Sequence, residues 1–142
     1  MVLLHEHYLT SVLHTWREAQ KQNVSLPKTD DQDYQSLDTL IRHIFRAARG
    51  YMIWICEKLG LPDPEIRPVP GADQIGEQAD VYLEHLLSRW CLPLAEVEEE
   101  RFHHPTFTSR WGVEYCIDAM LEHAVMHPIR HGFQLRNLIA TQ

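Results

Sequence analysis

Four stretches of this 142-residue chain repeat apolar side chains every three or four positions, and none alternates them convincingly as a strand would. The chain is therefore confined to helices. The first stretch, Leu3 to about Lys21, keeps Leu4, Tyr8, Val12, Thr15, Trp16 and Ala19 in phase, and the polar, proline-containing turn from Ser25 to Asp31 ends it. The second, about Tyr34 to Leu59, carries Leu37, Leu40, Ile44, Ala48, Tyr51 and Ile55, and stops at Gly60 with Pro62 beyond. Asp73 stands as the cap of a third helix bearing Ile75, Ala79, Tyr82, Leu86 and Trp90, closed by Pro93. The loop from Arg101 to Trp111 leads into a fourth, about Gly112 to Leu138, with Ile117, Met120, Leu121, Ala124, Leu135 and Leu138 in register. Four amphipathic helices of comparable length predict one all-α domain over residues 1–142, a four-helix bundle.

Such a length supports a single core without disulfides. Cys56, Cys91 and Cys116 are odd in number and lack CxxC spacing, which fits small buried residues in a reducing compartment. The opening MVLLHEHYLT places His and Glu where a signal peptide would be basic and then apolar, and no run is long enough to span a bilayer. These features predict a cytoplasmic protein without a membrane partner. A net charge of −7, with 13 Lys and Arg against 20 Asp and Glu and no basic stripe, argues against nucleic acid as a partner. No P-loop, GxGxxG, nucleophile elbow or CxxC occurs, so nucleotide and dithiol chemistries lack support.

The ten histidines offer more. His123, His127 and His131 lie four apart, and at about 100° and 1.5 Å per residue such positions align along one helical face. Two imidazoles one turn apart can share a divalent cation, and surface HxxxH pairs without a metal are also common. Phase separates the three. His131 falls inside the apolar stripe of the last helix, His127 nearer its edge and His123 further out, while Glu122, Phe133 and Arg136 point away. A neutral imidazole among aliphatic side chains needs a partner for its nitrogens. His43, on the second helix in line with Ala47, Gly50 and Trp54, is the leading third ligand from elsewhere; a half-buried surface histidine is the equally weighted alternative. Gly50 costs the helix about 1 kcal/mol relative to Ala, which fits close packing or open space beside that imidazole. His5, His7 and His14 read as exposed or capping, His103 and His104 as solvated, and His85 as a polar flank. Trp16, Trp54, Trp90 and Trp111 read as core.

The patches Leu40-Ile-Arg-His43-Ile-Phe-Arg-Ala-Ala and His127-xxx-His131-Gly-Phe-Gln134 resemble the DinB/YfiT-like metalloenzyme family, small four-helix bundles, and helix order and length extend the likeness over nearly the whole chain. The resemblance implies an up-down-down-up bundle and a divalent metal, commonly zinc or nickel, held by His43, His127 and His131. His123 is the alternative ligand. Gln134 matches a Gln that often follows the last ligand by three, and Tyr51 and Trp54 would wall the pocket. Two positions depart from the pattern: Pro128 stands where many relatives have Gly, and Arg130 where many have a further His. Pro128 should bend the helix near the ligands.

The same resemblance implies a transferase that uses a low-molecular-weight thiol such as bacillithiol or mycothiol as cosubstrate and acts on a small-molecule substrate. A cation on three neutral imidazoles keeps its full charge and would ionise a thiol below its free pKa of about 8.5, whereas water there would fall toward about 7 and could attack an ester or amide. A metal-dependent hydrolase is thus the second reading. The third is a metal-stabilised bundle without turnover, as a monomer or homodimer, in which the ion contributes folding free energy.

Overall fold

The computed structural model describes all residues 1–142 and is almost wholly helical. Four long helices make the body: α1 (Val2–Lys21), α2 (Leu37–Leu59), α3 (Ile75–Trp90) and, after two smaller pieces, α5 (Ile117–Thr141). The smaller pieces are a four-residue helix α4 (Glu100–His103) and a minimal hairpin of β1 (Phe107–Thr108) and β2 (Glu114–Tyr115), antiparallel with Phe107 opposite Tyr115. None of the helices is long and apolar enough to cross a membrane.

Each boundary has a local cause. The hydroxyl of Ser36 accepts from the Thr39 amide while Thr39 answers to the Ser36 amide, a capping box that fixes the first turn of α2. At its other end Gly60 takes the left-handed conformation, φ 67°, that releases the chain. The second helix therefore starts at Leu37 rather than Tyr34, which instead ends a short 3-10 turn, Gln32–Tyr34, capped by Asp31. Likewise α3 begins after Gln74, not on an Asp73 cap, and α5 begins at Ile117 with Cys116 Sγ accepting from the Ala119 amide. The segment before it, expected to be helical from Gly112, is the hairpin; Gly112 sits at φ 83°, where a side chain would be strained.

One core joins the four long helices. α1 and α2 each pack against both α3 and α5, and they also touch one another. Leu9, Val12 and Trp16 from α1, Ile41, Ile44 and Ile55 from α2, Leu86 and Trp90 from α3, and Ile117 and Met120 from α5 lie fully inside it. Two indoles are pinned through their N–H groups, Trp16 to the Leu37 carbonyl at 2.7 Å and Trp90 to that of Ala48 at 3.0 Å. On α1 the expected Val12, Thr15, Trp16 and Ala19 are buried, but in the first two turns His5 and Leu9 take the inner positions expected of Leu4 and Tyr8, and Leu4 is left 44% exposed. α5 runs unbroken through the buried Pro128.

Candidate metal centre

Three imidazoles meet where α2 faces α5. His43, His127 and His131 each offer a ring nitrogen, and these atoms lie within 4.8 Å of one another. Two are on adjacent turns of α5, and His43 is brought opposite them by the packing of α2 on α5. The Nε2 atoms of His43 and His127 are 3.1 Å apart, close to the roughly 3.3 Å expected of two nitrogens on one tetrahedral ion.

The neighbours decide which nitrogens face inward. His43 Nδ1–H donates to Asp33 Oδ2 at 3.0 Å, which leaves Nε2 with its lone pair toward the cluster. Asp33 is in turn held by Arg46, whose Nη2 reaches both carboxylate oxygens at 2.7 and 2.8 Å. His131 Nδ1–H donates to Gln134 Oε1 at 2.9 Å, which fixes the same tautomer on the second ring. The Tyr34 hydroxyl stands 3.5 Å from His43 Nε2, and its ring lies 5.7 Å from that of His131. Burial raises the pKa of Tyr34, with Arg130 pulling the other way, so its proton is retained.

Electrostatics favour neutral rings. Burial, reinforced by His131, His43, His123 and Arg130, pushes the His127 pKa down to about 2. His131 falls to about 4, again chiefly through burial, with the Gln134 bond opposing the shift. Two imidazoles kept unprotonated near neutral pH, each free to turn a lone pair inward, are a donor set suited to a divalent ion such as zinc. The residues present fit a metal.

His123 lies outside this group. Its ring is boxed by aromatic neighbours, stacked on Trp111 at 5.3 Å and 29°, with Tyr115 at 5.7 Å and Tyr51 at 5.4 Å, and burial lowers its pKa. Tyr51 bridges the two regions, its ring edge-on to His127 at 5.9 Å, and burial raises its pKa to about 12. Trp54 has no ring contact with the three histidines: its indole N–H donates to the Thr108 carbonyl at 3.3 Å, and its ring meets Phe107, so it anchors the hairpin. It shares with Tyr51 a cavity of about 200 Å³ that is also lined by Gly50 and Arg110. A Cβ on Gly50 would meet Arg110 Nη1 at 3.7 Å, an ordinary contact, and nothing else within 4 Å, so this glycine borders the cavity and the Arg110 guanidinium rather than the His43 imidazole.

Two functional neighbours, Asp33 and Tyr34, lie outside the residues singled out from the sequence. The one signal available was the carboxylate density of Asp30-Asp31-Gln-Asp33 just ahead of the His43 helix. His5 overturns its expected exposed or capping role: it is 1% exposed, neither ring nitrogen has a partner, and it stacks on Trp90 at 3.8 Å. Burial pushes its pKa down to about 3. His7, His14, His103 and His104 are exposed as expected, and His85 accepts the Arg67 amide through Nε2 at 3.0 Å.

No family model, no curated protein and no solved structure matches this chain.

Proposed function

We propose that this chain is a divalent-metal enzyme of the DinB/YfiT-like kind, with His43, His127 and His131 as ligands to zinc or nickel, and that it transfers a small thiol to an electrophilic small molecule. The observation that carries the reading is the convergence of three imidazoles, His43, His127 and His131, with no fourth His, Cys, Asp or Glu in the group. A structural zinc site is usually closed by four protein ligands, and three leave a position for a reactant. The sequence patches around His43 and His127-xxx-His131 support the family assignment, and with it an up-down-down-up order of the four long helices. Three cysteines free of disulfides support a reducing, cytoplasmic setting.

Bound there, a divalent ion would supply Lewis acidity, stabilising a thiolate or hydroxide near neutral pH. The chain's own residues do the rest. Asp33 and Gln134 hold the His43 and His131 rings in the tautomer that presents Nε2. Tyr34 keeps its proton beside His43 and can donate to an oxygen that gains negative charge, and Tyr51 packs on His127 and shields it from water.

Cobalt loading tests the assignment. A small thiol such as cysteine or bacillithiol should give a sulfur-to-metal charge-transfer band that is lost in His131→Ala, and the thiol producing it should support transfer to an electrophile. Hydrolysis of an activated ester by the cobalt protein without any thiol band would establish the hydrolase reading instead. Absence of both across a broad panel would leave a metal-stabilised scaffold, and the same holds if a homodimer closes the fourth position.

A further inference from the structure

A cavity of about 450 Å³ adjoins the metal centre, within the size range of small-ligand sites. Leu26 from the segment after α1, Leu40 on α2, and Leu135 and Leu138 on α5 supply its apolar walls. Tyr34 and Gln134 line it as well, and these are the two residues that also touch His43 and His131. The remaining lining side chains are a proline, threonines and an asparagine, so no charged group faces the space. Of the guanidiniums near the centre, Arg46 and Arg110 line the smaller cavity beside Tyr51, and Arg130, whose charge is felt at Tyr34 and His131, is not among the side chains that line this one.

This division of chemistry specifies a ligand. With Gln134 Oε1 taken up by His131 Nδ1–H, the amide NH2 of Gln134 is left as a donor, and the Tyr34 hydroxyl is a second one close by. Donors beside the imidazoles, backed by leucines and without a cation, suit a neutral molecule with an acceptor oxygen and an aliphatic or ring-bearing body. A carboxylate would find no cation among the lining side chains to pair with and would lose hydration against the leucines.

We propose that this leucine-lined cavity binds the apolar body of an uncharged, carbonyl-bearing substrate and sets its oxygen against Tyr34 and Gln134 at the edge of the three-histidine cluster. The inference rests on the metal-enzyme reading for its catalytic meaning, but the binding itself does not need the ion. A clasp holds the cavity wall: Gln142 Oε1 accepts from the Ser25 amide at 2.9 Å, and its Nε2 donates to the Ser25 carbonyl at 2.8 Å, tying the end of α5 to the segment that carries Leu26.

The test is titration of the metal-free full chain with butanamide, hexanamide and octanamide, followed by amide chemical shifts, with octanoate as the charged control. Affinity should rise about fourfold per added methylene, shifts should centre on Leu135, Leu138 and Gln134, and octanoate should bind more weakly than octanamide. Leu138→Trp should reduce octanamide affinity at least about tenfold, the worth of roughly two buried methylenes, while zinc affinity measured on the same sample stays unchanged. Thr29→Trp blocks the cavity from the loop and serves if Leu138→Trp fails to fold. Flat chain-length dependence, octanoate binding as well as octanamide, or a blocked variant that binds octanamide like the parent would each overturn the proposal. Octanamide binding by a chain that takes no zinc would leave it standing and refute the metal-enzyme reading.

Discussion

His43 and His127, 84 positions apart in sequence, meet Nε2 to Nε2 at 3.1 Å across the interface of α2 and α5. Because His43 spends its Nδ1 proton on Asp33, the meeting places its lone pair against a second imidazole that burial keeps neutral. In the absence of an ion His127 can satisfy this by donating one proton. With an ion both lone pairs are used, and His131 joins them.

Ligand choice follows from that geometry. His43→Ala, His127→Ala and His131→Ala should each strip bound zinc from the purified chain, read by metal analysis, while His123→Ala should retain full occupancy because its ring is enclosed by Trp111, Tyr115 and Tyr51. Loss of metal in His123→Ala with retention in His131→Ala would place the ligand set one turn away.

Asp33 orients a ligand without belonging to the ligand set. Asp33→Asn should weaken zinc binding about 10- to 100-fold, the usual loss when a carboxylate behind a metal-bound histidine is removed. The melting temperature of the metal-free chain should change far less, since Asp33 lies in a half-buried turn. Equal zinc affinity in parent and variant would mean that the His43 tautomer is held by something else.

Zinc binding should register as stability. An ion that binds only the folded chain at a hundred times its dissociation constant adds about 2.7 kcal/mol. For a domain of this size that corresponds to roughly 5–10 °C, so a chelator should lower the melting temperature by about that amount. A melting curve indifferent to chelator would show that no ion is linked to folding.

Acid should destabilise the metal-free chain through buried histidines. His5, His127 and His131 have folded pKa values near 3, 2 and 4, all below the ordinary 6.5. The unfolded chain therefore takes up protons first as pH falls, and their stabilising contribution, complete above about 6.5, is lost progressively down toward 4 and below. His5→Phe should keep the stack on Trp90, remove two unpaired ring nitrogens and flatten part of that slope, as measured by denaturant unfolding between pH 7 and 4. An unchanged slope would mean that His5 is hydrated or paired in solution.

The helices were legible because core packing leaves a period in the sequence: every apolar position assigned to the inner faces of α2 and α3 is buried or half-buried. On α1 the same reasoning slipped one step at its start, choosing Leu4 and Tyr8 over His5 and Leu9, because a histidine counts as polar whether or not it is enclosed. His127 and His131 could be aimed inward by phase alone, while the opposite placement of His43 depends on the register between two helices, which no local pattern encodes. Asp33 and Tyr34 reach the cluster from a three-residue 3-10 turn, and the hairpin strands are two residues each, all too short to carry a period.

The two hydrogen bonds between Gln142 and the Ser25 backbone make one hinge out of two segments. Helix ends are where opening is easiest, and here the fraying end is fastened to the strip of chain that bears Leu26. Unwinding of the last turn of α5 and loosening of the cavity wall thus become a single event. The amide protons of Ser25 and of Asn137–Gln142 should therefore exchange with one shared opening free energy, so that the wall of the leucine-lined space is as firm as the last turn of a helix and no firmer.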